Sequence, residues 1–293
     1  MTRIAHLSDL HVVERDHARR GVAERVRLRY LSFGRAIDAE GRLARVERAL
    51  RQAWAARPDH VCITGDLTED GTDAQFEALA EVLERAEIPP ERTTLVPGNH
   101  DGYAALDAFD RALDGPLRAY RGTSRPGAVV EYEGAAVVAV STLIDQPYTR
   151  SAGAVCGAQR ARIDAVARAR SLGDRAVVVA QHHPPMRHLP PGLQWIDGLD
   201  APASMTALVE RHAHLHVLHG HTHTAWDRAV GRRREPQAFC VAAVVEDEAP
   251  VRVYEAARRR LRPLDRTPTP APAAAAREGF GRPGLGLAAP VTA

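Results

Sequence analysis

The chain has 293 residues, 45% of them apolar and 26% charged, with a formal net charge of +2. That length and apolar share suffice for a full hydrophobic core, and the balanced charge argues against nucleic acid as a partner. No run of 18 apolar residues is present to span a membrane, and no signal-peptide core precedes the first strand-like segment. All 39 basic residues are arginine, a bias that reads as genome composition. The cysteines, Cys62, Cys156 and Cys240, are odd in number and widely spaced. Cys62 and Cys240 lie in apolar runs and are expected to be buried, inert thiols in a reducing cytoplasm.

In chain order, a β-branched apolar run at 3–7 precedes the block Asp9-Leu10-His11. Residues 14–40 are unusually basic. There Val22, Val26, Tyr30 and Phe33 share one face of a helix whose other face carries Arg19, Arg20, Arg25, Arg27 and Arg29. The plain expectation is a solvated helix over the domain edge. The sharper one is a cap touching an anionic substrate, a partner subunit or a membrane surface. Leu43, Val46, Leu50 and Trp54 then repeat at helical spacing, before a strand at 61–64 that ends in Gly65-Asp66. Thr72-x-x-Gln75 predicts a capping box opening a helix with Phe76, Leu79 and Leu83 on one face.

A strand at 93–96 runs into Gly98-Asn99-His100-Asp101. Strands at 128–132 and 135–141 and a helix at 160–170 follow. The strand 176–180 precedes His182-His183-Pro184-Pro185, and 215–218 precedes Gly220-His221-Thr222-His223. Runs at 225–230, 237–245 and 250–254 read as late antiparallel additions. Helices between the early strands imply parallel βαβ units, hence one mixed-sheet α/β domain over 1–256. From 257 the chain turns Arg-, Pro-, Ala- and Gly-rich, which predicts a disordered tail over 257–293.

The five polar blocks all follow strands. Ligands of α/β sheets collect at the carboxyl ends of strands, so the blocks can converge on one crevice. Oxygen from Asp and Asn with nitrogen from His suits divalent Mn, Fe, Co, Ni or Zn. Seven such groups exceed one ion's needs and serve two ions sharing a carboxylate. The Asp-x-His and His-x-His spacings suit a strand end, where alternate side chains share a face.

In this order the blocks resemble those of the calcineurin-like metallophosphoesterases, a superfamily of binuclear metal hydrolases. Residues 63–71, with Phe76, Leu79 and Val96-Pro97-Gly98-Asn99-His100-Asp101, are similar to the bacterial class III cyclic-nucleotide phosphodiesterase branch. The resemblance covers about residues 3–254 and implies a four-layer α/β/β/α sandwich of two mixed sheets. It implies one metal on Asp9, His11, Asp66 and His223, and a second on Asp66, Asn99, His182 and His221, with Asp66 bridging. Two divalent ions, Mn, Fe or Zn, are the expected cofactors. No tyrosine follows Asp66, unlike the ferric purple acid phosphatases. A water acidified by both ions would attack phosphorus, with His100 protonating the leaving alkoxide and Asp101 orienting its imidazole. His183 competes with His182, which directly follows the strand and is preferred. His6, His212, His214, His216 and His219 read as structural.

The expected reaction is hydrolysis of a phosphodiester, either a cyclic nucleotide or a small glycerophosphodiester. A phosphomonoesterase, a pyrophosphate hydrolase of the UDP-2,3-diacylglucosamine type and a non-catalytic scaffold are the alternatives. Better-known diacylglucosamine hydrolases usually carry Arg where this chain has His100. Substrate choice is expected in the loops 14–40, 102–125, 146–156 and 186–203. The apolar stretch 190–195 could wall the pocket or join two copies in a homodimer.

Overall fold

The computed structural model describes residues 1–247 and 249–264. The chain alternates strands and helices as far as residue 85. β1 (Thr2–Leu7) leads through α1 (Val22–Leu31) and α2 (Ala39–Ala55) to β2 (His60–Thr64) and α3 (Asp73–Arg85). β3 (Thr93–Val96) is followed by the short helices α4 (Ala108–Asp114) and α5 (Arg121–Ser124). The second half carries β4 (Val129–Glu131), β5 (Ala135–Ala139), α6 (Gly157–Arg168) and β6 (Ala176–Ala180). It ends with α7 (Pro191–Asp197), α8 (Pro202–Arg211), β7 (Leu215–His219), β8 (Trp226–Arg228), β9 (Ala238–Cys240), β10 (Arg252–Ala257) and β11 (Arg260–Pro263).

Two mixed sheets result. The first runs β11-β10-β1-β2-β3, with β1, β2 and β3 parallel and β10 and β11 added antiparallel at one side. The second runs β4-β5-β6-β7-β9-β8, parallel from β5 to β9 and closed by antiparallel β4 and β8. β5 (AAVVA) and β6 (AVVVA) bury every residue, because both of their faces are covered. Ile4, Cys62 and Tyr254 of the first sheet meet Val137, Val178 and Phe239 of the second in the layer between them. Leu43, Leu50, Phe76 and Leu79 of α2 and α3 cover the outer face of the first sheet. Ile163 of α6 and Met205 of α8 cover that of the second. The order of layers is therefore α/β/β/α.

Local details depart from the sequence reading in four places. Thr72 does stand at the N-terminal boundary of α3, but its side chain makes no capping bond and no capping box forms. Its hydroxyl accepts from Arg20 (3.2 Å), and the Gln75 side chain accepts from the Asp70 amide (3.0 Å). The 237–245 run is a strand only to Cys240, and then turns toward the end of β1. The segment from 257, assigned above to the tail, closes β10 and forms β11, so the domain extends at least to Leu264. The remainder of the proposed tail lies outside the described residues.

The fourth departure is the basic segment, whose helix faces are inverted. Arg20 and Arg27 point inward to the fully buried Asp70 (2.8 and 2.9 Å), while Val22, Val26, Tyr30 and Phe33 face outward. Burying a carboxylate without a partner is far dearer than exposing four apolar side chains, so the ion pairs decide the orientation. No helix among the described residues is long and apolar enough to cross a membrane.

Candidate metal centre

All five polar blocks meet where strands of the two sheets end. Past β1 and β2 the backbones keep pairing: Asp9 N–H donates to Gly65 O (3.0 Å) and His11 N–H to Asp66 O (2.9 Å). The His182 carbonyl accepts from Gly220 N–H (3.1 Å), tying the loop after β6 to that after β7. Asp9, His11, Asp66, His221 and His223 all have positive φ, between 47° and 70°. The side chains therefore converge through left-handed kinks and not through a strand pleat, which corrects the expectation from their spacing. Such backbone is held in place only where its surroundings over-determine it, and it clusters at functional sites. Asn99 itself is right-handed helical.

Glycine precedes three ligands for a steric reason. A Cβ on Gly65 would enter the His182 ring, one on Gly98 the Asp66 carboxylate, and one on Gly220 Ser8 and Asp9. Each glycine thus admits a ligand from a different loop.

Asp9, His11, Asp66 and His223 place their ligand atoms within 4.8 Å of one another, which is the first expected ligand set. Asp66 Oδ2 lies 3.3 Å from His182 Nε2 and 3.8 Å from His11 Nε2, so one carboxylate faces both sets. His182 Nδ1–H donates to Thr64 O (2.8 Å), leaving Nε2 buried without a hydrogen-bond partner. Asn99 donates its amide to Tyr103 Oη (2.9 Å), leaving Oδ1 in the same condition. Both His11 nitrogens also lack hydrogen bonds. Buried polar atoms rarely go unpaired, and three on the loops around Asp66 (His11 Nε2, His182 Nε2 and Asn99 Oδ1) fit a centre that holds cations.

His183 is close to His182 and His221, yet Thr142 Oγ1 (2.8 Å) and Ser151 O (2.9 Å) occupy both of its nitrogens. Of that pair, only His182 keeps a ring nitrogen without a hydrogen bond. His219 packs on Trp226, and His6, His212, His214 and His216 bond elsewhere.

Groups behind the ligands orient them, as carboxylate and carbonyl partners of metal-bound histidine do. Glu246 Oε1 holds His223 Nδ1 (2.9 Å), Glu69 Oε2 faces His11 Nδ1 (3.4 Å), and Asp197 O accepts from His221 Nε2 (2.9 Å). Burial opposes charge on the rings, yet Asp66 raises His182 to about 9 and Asp9 raises His223 to about 10. Burial and then Arg35 press His11 down to about 3, so one ring nitrogen keeps its lone pair available. Glu69, Asp197 and Glu246 carry no spacing signal in the sequence. Glu69-Asp70 as the counter-charge to the basic 14–40 segment was the one available clue.

His100 stands apart from the ligands. Its Nδ1–H donates to Glu69 O (2.6 Å), which turns Nε2 toward Asp66 Oδ2 (3.9 Å). Asp101 does not orient that ring, contrary to expectation. Its carboxylate accepts from the backbone of Leu67 (3.1 Å), Thr68 (2.8 Å) and Gly98 (2.8 Å), bracing the two loops that carry Asp66 and Asn99. Burial, followed by the Asp66 charge, raises the Asp101 carboxyl to about 6.

The sequence profile of the calcineurin-like phosphoesterases matches residues 2–225, most of the chain and a span that contains all seven candidate ligands. The chain belongs to the calcineurin-like phosphoesterase family. The phosphoesterase is also similar in fold to a crystal structure described as a dimetal phosphatase from Danio rerio, at 13% identity and a TM-score of 0.58. That match covers 87% of this chain and 93% of the other. A second solved structure matches at 12% identity and a TM-score of 0.50, over 86% and 93% of the two chains. No curated protein sequence matches.

The phosphoesterase anchors the Asp66 turn with a buried ion cluster. Glu69 pairs with Arg35 (2.7 Å) and with Arg42, which also donates to the His11 carbonyl (3.0 Å). Arg42→Met is expected to cost about 3–5 kcal/mol, the range for stranding a buried charge. Arg15→Ala, in an exposed pair with Glu40 and Glu81, is expected to cost about 0–1 kcal/mol. Urea unfolding of both variants checks the contrast.

Proposed function

We propose that the phosphoesterase hydrolyses a phosphodiester, a cyclic nucleotide or a small glycerophosphodiester, using two divalent ions of Mn, Fe or Zn. The observation that carries this reading is the division of labour around Asp66. Asp9, His11, Asp66 and His223 would hold one ion, and Asp66, Asn99, His182 and His221 the other. His100 is left free of both sets. The ions, when bound, supply charge to the non-bridging oxygens and acidify water.

The chain's own residues supply the rest. Glu69 O fixes the His100 ring, so that Nε2 gives a proton to the departing oxygen. Tyr103 holds the Asn99 amide by its nitrogen and turns the carbonyl oxygen inward. The loops 146–156 and 186–203 close over His221 through Ser151 and Asp197. Arg35, Arg42 and Arg150, which contact this region, are already paired with Glu69 and Asp200. With these three guanidinium groups neutralised, none adds to the ions' charge for a second phosphate anion, which supports the singly charged diester.

The test compares bis-p-nitrophenyl phosphate with p-nitrophenyl phosphate, using the Mn-loaded protein. A higher kcat/KM for the diester is expected. Preference for the monoester overturns the diester reading. Cleavage of UDP-2,3-diacylglucosamine but of neither ester would favour the pyrophosphate alternative.

A further inference from the structure

Among the described residues, the apolar face of α1 is left largely uncovered, with Tyr148 against Tyr30 as its one aromatic contact. Val22 is 71% exposed, Val26 57%, Tyr30 51% and Phe33 89%. These positions form one stripe along the helix and its C-terminal turn. The opposite face is pinned: Arg20 and Arg27 reach Asp70, and Leu28 is buried. Buried ion pairs therefore hold the helix with its apolar stripe outward, an arrangement that hydrophobic burial alone would reverse.

The stripe is not isolated. Tyr30 meets Tyr148 edge to face, with ring centroids 5.3 Å apart. Two residues further on, Arg150 lies over the Trp195 ring (4.8 Å), which is 63% exposed on α7. Tyr and Trp at the edge of an apolar surface suit the boundary between lipid and water. Arg25 and Arg29 are exposed along one flank of the stripe, on a helix whose single acidic residue is Glu24, and Arg19, which precedes it, pairs with Asp16 (3.0 Å). Apolar and aromatic side chains beside arginines are what an anionic bilayer binds, through buried area and charge together.

We infer that α1 docks the protein on an anionic lipid surface, with Val22, Val26, Tyr30 and Phe33 entering the headgroup boundary. Charge decides between this occupant and a second copy. A two-fold contact across the stripe would bring Arg25 and Arg29 near their own equivalents, whereas acidic headgroups neutralise them. The same segment carries Arg35, which reaches Glu69 behind His11, so docking would bring the metal centre close to the membrane.

The test is co-sedimentation of the Mn-loaded full chain with vesicles of phosphatidylcholine, with and without phosphatidylglycerol. Binding is expected on the mixed vesicles and is expected to weaken as salt rises. Val26→Ser/Phe33→Ser should lower partitioning about tenfold or more, from the lost apolar burial. Arg25→Gln/Arg29→Gln should remove the preference for phosphatidylglycerol. Phe33→Ser alone serves as the second variant, because that side chain is almost fully exposed. Thermal unfolding and hydrolysis of soluble bis-p-nitrophenyl phosphate should stay as in the wild type for each variant. No vesicle binding, or equal binding by wild type and double variant, overturns the inference. So does a dimer by light scattering that Phe33→Ser converts to monomer. Vesicle binding is read without turnover, so its failure is distinct from failure of the diester reading.

Discussion

Asp66→Asn is expected to lower turnover by about 10³-fold or more and to reduce bound metal from two ions toward one. The substitution keeps the shape of the side chain and removes its charge. Asp66 Oδ2 lies within 3.3–3.9 Å of His182, His11 and His100, and Oδ1 accepts the His100 amide (3.0 Å). Among the described residues, no other carboxylate pairs with histidine rings of both sets. Losing its charge therefore weakens both sites at once, whereas loss of Asp9 or His182 should weaken chiefly one. Gly98→Ala should have a similar effect without touching a ligand, because its Cβ would displace the Asp66 carboxylate. Metal content by elemental analysis, alongside initial rates on bis-p-nitrophenyl phosphate, checks both variants. Two retained ions and near-normal turnover in Asp66→Asn would remove Asp66 from the bridging role.

The order of ligands was legible in the sequence because each follows an apolar strand, and strands in α/β sheets deliver polar loops to one edge. The two sheets were legible in part. The run 176–180 is a continuous apolar strand in both sequence and structure, and 215–218 is a strand interrupted only by His216, whereas 237–245, apolar after Gln237, is a strand only to Cys240. Apolar character marks burial, and after Cys240 the chain is buried against the loop that follows β1, joined to it by a single bridge between Ala243 and Ser8.

What local patterning missed was charge acting over a distance. The basic segment 14–40 looks amphipathic with its arginines outward, because a hydrophobic pattern takes no account of where Asp70 will lie. Thr72 and Gln75 fit a capping box by spacing, yet Arg20 and the Asp70 amide take their side-chain oxygens. Asp101 is adjacent to His100 in the chain, while the carbonyl that fixes His100 comes from Glu69, 31 positions away. Adjacency in sequence is a poor guide to orientation where the backbone kinks at successive residues, as it does around these ligands.

His100→Ala should separate protonation of the leaving group from metal binding. The ring reaches the centre through Nε2, at 3.9 Å from Asp66 Oδ2, and packs edge-on against His11 (centroids 4.6 Å apart), but it belongs to neither proposed ligand set. Both ions should therefore stay bound. Turnover of a diester with an alkoxide leaving group should fall about 10²–10⁴-fold, the range for one positioned general acid. A nitrophenolate departs without a proton, so bis-p-nitrophenyl phosphate should lose far less. The ratio between the two substrates is the diagnostic, since a structural defect would slow both alike. His100→Asn supplies a check on folding, because its amide can still bond to Glu69 O but transfers no proton. If both substrates slow equally in both variants with metal retained, His100 positions the phosphate and does not protonate the leaving group. If metal is lost as well, His100 belongs with the His11–Glu69 group it adjoins, and the two ligand sets must be redrawn.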